Sequence, residues 1–140
     1  MNLVDVGVWL AGTWGRHLHH GIAAQWLSAQ PDQLGLCRTT QLGLLRLITN
    51  QAVMGEDAIT RRQAWSVLDQ LRADPRVVWL ADPPSLEPVF RSLSARTDRR
   101  HKLWTDDYLA ALAQSAGATL VTLDRKLARR YPAITVETLI

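Results

Sequence analysis

Residues 3–11 read LVDVGVWLA, an apolar run interrupted by Asp5 and Gly7. Strand packing does not ask for a carboxylate between valines, and an unpaired charge buried there costs several kcal/mol. The run therefore reads as a short first strand, Leu3–Val6, whose carboxyl end releases the chain toward a helix. A second run of the same shape, ATLVTLD (118–124), ends in Asp124. Two acids thus stand at or beside the ends of two strands, one near each terminus.

Three more short apolar runs complete the set: LGLC (34–37), RVVWLA (76–81) and ITVETL (134–139). Helical spacings separate them. RHLHHGIAAQWLSAQ (16–30) stops at Pro31, and TQLGLLRLITN (40–50) is opened by Thr39 or Thr40. Thr60 opens a helix through Arg72, with Ala64, Val67, Leu68 and Leu71 on its buried face. DPPSLEPVFRSLSAR (82–96) begins with prolines, which a first turn tolerates. LWTDDYLAALAQSAG (103–117) is closed by Gly117, and RKLARRY (125–131) is short and basic. The order β-α-β-α-α-β-α-α-β-α-β predicts an α/β fold: an open parallel sheet of about five strands covered on both faces.

The 140 residues, 47% hydrophobic and 21% charged, fit one globular domain spanning 1–140 and exclude wholesale disorder. No stretch approaches the ~18–20 apolar residues of a membrane span, and MNLVDVGVWLAG lacks the basic start of a signal peptide. The single cysteine, Cys37, permits no internal disulfide and reads as a small buried hydrophobe. A reducing, cytoplasmic setting is the expectation. A net charge of +3 suits an anionic partner without demanding one.

Open parallel sheets bind ligands outside the carboxyl ends of their strands, near the point where strand order reverses. Asp5 and Asp124 belong at that edge, and Asp106 opens the helix that leads into the second of their strands. Three carboxylates gathered there repel one another unless a cation balances them. Hard oxygen donors at that density select Mg²⁺ or Mn²⁺, and an ion so held suits phosphodiester hydrolysis. Capping competes with this reading, since Thr105 is a good N-cap and the helix dipole favours Asp106 and Asp107 in a first turn. His17 and His20 share a helical spacing but have no evident third ligand, so they read as a polar helix entrance. Basic residues near the acids are candidate phosphate contacts: Arg38, Arg46, Arg99, Arg100 and Lys102.

LVDVGVWLA, RTTQLGLLRLITN, WTDDYLAALA and LVTLD, in this order and over essentially the whole chain, resemble the PIN-domain ribonucleases. The likeness is to the VapC-type toxins of bacterial toxin–antitoxin pairs. The resemblance implies a three-layer α/β/α sandwich that binds Mg²⁺ or Mn²⁺ at an acidic pocket and cuts RNA. It puts the catalytic and metal-binding aspartates at Asp5, Asp106 and Asp124, with Thr122 as a supporting hydroxyl. Asp107 falls at a variable position and is assigned to solvent, the helix dipole or an indirect supporting role. Gln41 stands where the family commonly has a glutamate, and Gly7 where an asparagine or serine is common. An antitoxin partner and a homodimer are implied as well.

The expected activity is divalent-dependent endoribonuclease cleavage by water, leaving 5′-phosphate and 3′-hydroxyl ends. Gln41 favours a second reading, a catalytically weak module that grips RNA or a partner without cutting. A phosphorelay receiver shares the architecture but expects an acidic pair after the first strand; VDVGVW and LVTLD offer one carboxylate each.

Overall fold

A computed structural model describes residues 1–140. Five strands, β1 (Asn2–Val4), β2 (Leu34–Cys37), β3 (Val77–Leu80), β4 (Thr119–Thr122) and β5 (Val136–Thr138), form one all-parallel sheet in the order β3-β2-β1-β4-β5. The chain builds outward from β1 to β3, then returns to the other side of β1 with β4. Strand order therefore reverses between β1 and β4, which pair in the register Leu3↔Leu120 and Val4↔Val121.

Eight helices cover the sheet: α1 (Val6–Thr13), α2 (His20–Ala29), α3 (Arg38–Ile48), α4 (Gln51–Met54), α5 (Arg61–Ala73), α6 (Leu86–Ser94), α7 (Trp104–Ala116) and α8 (Leu127–Arg130). Alternation along the strands sorts the core into two layers. Val4, Leu34, Leu36 and Val121 pack with Val8, Trp9, Leu44 and Leu68 from α1, α3 and α5. Leu3, Cys37 and Leu120 pack on the other face with Leu86, Leu109, Leu112 and Leu127 from α6, α7 and α8. The expected three-layer α/β/α arrangement is present.

Local capping moves several boundaries. Val6 is helical rather than the last residue of the first strand, because the Asp5 carboxylate accepts the Val6 N–H at 2.7 Å and caps α1. β-Branching at Val6 yields to that cap. The helix so begun, VGVWLAGT, precedes the one expected from residue 16, whose first turns are irregular before α2 starts at His20. At Gly12 a Cβ would stand 2.4 Å from Leu27 Cδ1, so the glycine lets α1 and α2 close together. α3 begins at Arg38, and Thr40 sits inside its first turn with its hydroxyl accepting the Cys37 N–H at 3.1 Å. Thr105 likewise lies within the first turn of α7 and is not its cap, which is Leu103. Gly117 ends α7 in the left-handed conformation, φ 64°, as expected of a C-terminal glycine.

The outer strand β3 is half-buried, and its Trp79 ring lies under two guanidiniums, Arg38 at 4.8 Å and Arg72 at 5.2 Å from the ring centroid. Arg76, just before β3, ties it to α2: its guanidinium donates to the Leu27 and Gln30 carbonyls at 2.7 and 2.8 Å while pairing with Asp74. No helix is long and apolar enough to cross a membrane.

Candidate active site

Asp5 is fixed by both of its carboxylate oxygens. Oδ1 accepts the Val6 N–H, and Oδ2 accepts the Thr122 hydroxyl at 2.8 Å. Thr122, fully buried at the end of β4, also accepts the Asp124 N–H at 3.0 Å. A single hydroxyl thus links the acid after β1 to the backbone of the acid after β4. Asp124 is exposed and accepts the Lys126 N–H at 2.9 Å, which turns the chain into α8.

Asp106, in the first turn of α7, faces the same place. Asp5, Asp106, Asp124 and Thr122 line one cavity of about 420 Å³ with Val6, Gly7, Thr105 and Leu123. The cavity opens at the carboxyl ends of β1 and β4, where strand order reverses. Burial pushes the Asp5 carboxyl above the usual range, aided by the charge of Asp124 and opposed by its hydrogen bonds to Thr122 and Val6. Burial also pushes Asp106 up, reinforced by the charge of Asp5 and opposed by Arg130. Arg130 donates to Asp106 Oδ2 at 2.9 Å.

The carboxylates line one cavity but do not close on one point: no three Asp, Glu, His or Cys side chains are grouped as ligands of a metal. The histidines form no such group either, and His20 Nδ1 lies 2.7 Å from the Ala11 carbonyl. The donor chemistry of the acidic cavity nevertheless suits a hard divalent cation, because its side-chain donors are all oxygens and three of them are carboxylates.

Asp107 turns away from this cavity. It is 8% exposed and accepts a hydrogen bond from the Tyr131 hydroxyl. Its assignment to solvent is corrected accordingly: Asp107 is an internal tie between α7 and the end of α8. Burial, then the hydrogen bond to Asp107, pushes the Tyr131 hydroxyl up. Gln41 is buried as well, 2% exposed, and its amide oxygen accepts from Arg38 at 2.6 Å. It does not line the acidic cavity. Thr39, Thr40 and Arg46 of the α3 region reach a smaller cavity, about 200 Å³, that Asp5 shares.

The basic candidates divide. Arg46 lines the smaller cavity that Asp5 shares, whereas Arg38 is engaged by Gln41 and Trp79. Arg99 and Arg100 line a separate cavity of about 470 Å³, and Lys102 borders the groove next to it. Sequence reasoning placed the basic run RKLARRY near Asp124 without singling out Arg130, and it missed Arg96 and Trp104 as neighbours of these cavities.

Residues 3–132 match the PIN domain family model. The chain is 38% identical over 130 residues to Ribonuclease VapC41 of Mycobacterium tuberculosis, covering 89% of each protein. It is 35% identical over 144 residues to Ribonuclease VapC38 of the same organism, covering 99% of this chain and 98% of that protein. Among solved structures, Mycobacterium tuberculosis VapC20, a Sarcin-Ricin loop cleaving toxin, superposes with a TM-score of 0.71 at 17% identity, covering 92% of this chain and 94% of that one. VapBC-1 from nontypeable Haemophilus influenzae gives a TM-score of 0.66 at 17% identity, covering 99% and 97%. These two share the fold; the sequence relatives go further, and by them the chain belongs to the PIN-domain family, among its VapC ribonucleases.

Proposed function

We propose that this ribonuclease is a divalent-metal-dependent endoribonuclease acting as the toxin of a toxin–antitoxin pair. The observation that carries the reading is the convergence of Asp5, Asp106 and Asp124, from distant parts of the chain, on one cavity at the sheet's reversal point. Those three carboxylates would hold Mg²⁺ or Mn²⁺. Such an ion, when bound, acidifies a water and neutralises charge developing on a scissile phosphate.

The chain's own residues do the rest. Thr122 orients Asp5 and locks its outer oxygen, and the Val6 N–H fixes the other. The N-terminal turn of α7 presents Asp106, with Arg130 restraining it in the absence of another cation. Arg46 places a cation on the side of Asp5 facing α3, suited to a phosphate oxygen of the RNA. Attack by water rather than the 2′-hydroxyl leaves 5′-phosphate and 3′-hydroxyl ends.

A cognate antitoxin and a homodimeric state follow from family membership and stand as part of the same proposal, as does a cytoplasmic location. A weaker reading, a module that binds RNA or a partner without cutting, is favoured by two observations. Gln41 is neutral and held by Arg38, and Asp106 already has a cationic partner. RNA cleavage by purified protein with Mg²⁺, with Mn²⁺ and with chelator separates the two. Cleavage that needs the divalent ion and fails in Asp5→Asn and Asp106→Asn supports the nuclease; equal cleavage by all three proteins overturns it. Retention of RNA without products under every metal condition supports the binding module.

A further inference from the structure

A cavity of about 470 Å³ lies apart from the acidic one. It lies on the other side of the first turn of α7, and its size falls within the ~300–1,000 Å³ typical of small-molecule sites. Arg96, Arg99, Arg100, His101, Trp104 and Tyr131 contribute to its wall. The guanidiniums of Arg96, Arg99 and Arg100 make no ion pair; of the arginines in the wall only Arg130 is paired, with Asp106. The two acids in the wall are already engaged. Asp98 accepts the Arg100 N–H at 2.9 Å, and Asp107 accepts from Tyr131.

Trp104 is the second component. Its ring meets Phe90 in a T-shaped contact, centroids 6.2 Å apart, and the residue is 58% exposed. Beyond that one contact the indole is left open in the wall of a cationic cavity. The third component is continuity: Arg130 lines this cavity and donates to Asp106, which lines the acidic one. The two cavities meet at that pair.

We propose that this cavity is a nucleotide subsite that takes one unpaired residue of the RNA, its base against Trp104 and its phosphates on Arg96, Arg99 and Arg100. The nucleotide seated there must be unpaired, since bases locked in a duplex cannot reach an indole face. Guanidiniums beside an open aromatic ring suit a base and its phosphate together. An acidic peptide would use the charges and leave the indole uncovered. The assignment rests on the proposed RNA-directed function, and it concerns where RNA is gripped rather than where it is cut.

The test uses the full chain in chelator, so that cleavage does not interfere. Binding of a short fluorescent single-stranded RNA is followed by anisotropy across a salt series, beside the same RNA annealed to its complement and a poly-glutamate peptide. Trp104→Ala is expected to weaken single-strand binding about tenfold, with Trp104→Phe restoring most of it. Arg99→Gln combined with Arg100→Gln is expected to lower the salt dependence by about two phosphate contacts. Duplex binding should ignore Trp104. Single-strand affinity unchanged in Trp104→Ala or in the arginine double variant, both shown to be folded by circular dichroism, overturns the subsite. So does absence of RNA binding at low salt, or tighter Trp104-dependent binding of poly-glutamate than of RNA. Parent protein that cleaves RNA while Trp104→Ala binds normally sinks the subsite and spares the nuclease. Trp104-dependent binding with no divalent-driven cleavage does the reverse.

Discussion

Two cavities flank the first turn of α7, and they carry opposite charge. The acidic one takes Asp106 from that turn; the basic one takes Trp104 and Asp107. Adjacent helical residues point about 100° apart, so Asp106 and Asp107 cannot serve one site. Their environments confirm the division of labour. Asp106 pairs with a guanidinium at a cavity wall, whereas Asp107 is closed off against a tyrosine. The pair of like residues teaches that a carboxylate's role is set by which way one turn of helix aims it. The residue name says little.

The sharpest way to break this contrast is at Asp5. Asp5→Asn should lower divalent-dependent RNA cleavage by about 10²–10³-fold, since several kcal/mol of charge stabilisation are at stake at tenfold per ~1.36 kcal/mol. Asp107→Asn, by contrast, should leave cleavage within a few-fold of the parent; a loss matching that of Asp5→Asn would put both acids in one site and dissolve the distinction.

Tyr131→Phe probes the buried side. It strips the donor from an enclosed carboxylate, and a destabilisation of about 1–3 kcal/mol should appear in urea melts. Arg130→Gln acts at the junction. Loss of the part-buried pair with Asp106 should cost about 1 kcal/mol of stability. Divalent binding measured by calorimetry should tighten several-fold, because a competing cation has been removed; weaker binding would show that Arg130 positions Asp106 rather than competing for it.

The smallest effect is a pH dependence of the metal-free chain. Burial raises the folded-state pKa of Asp5, so the folded protein holds that proton more tightly than the unfolded one. Stability linked to Asp5 is therefore greatest below the ordinary carboxylate value of about 3.9 and declines as pH rises through the raised one. In chelator, Asp5→Asn should gain on the parent across that window and hold a constant difference above it. A difference that moves the opposite way would mean that the hydrogen bonds from Thr122 and Val6 outweigh desolvation.

Much of the acidic cavity was legible because its members sit at strand ends. A carboxylate in LVDV or at the close of LVTLD is out of place in a strand, and parallel-sheet topology sends both to one edge. The strand count followed from apolar spacing, but the six helices read from it became eight: α1 and the short α4, in a stretch read as a loop, were not foreseen. The boundaries at Val6 and Thr105 did not follow from it, because each depends on which neighbouring group caps the helix, a contest decided by one hydrogen bond. The basic cavity was invisible for a different reason. Its wall draws on residues 93–104 and on Arg130 and Tyr131, and no periodicity tells that the end of α8 folds back onto the start of α7. Gln41 marks a third limit: its position in the motif was readable, but its capture by Arg38 depends on a rotamer.

The guanidiniums stacked on Trp79 reach beyond the two cavities. An open sheet ends in a strand whose free backbone groups invite a stranger's chain to dock and extend it. Here any newcomer at that margin would have to strip water from two adjacent positive charges, Arg38 and Arg72, before its first rung could form. Charge placed there makes the margin a poor template for a further strand.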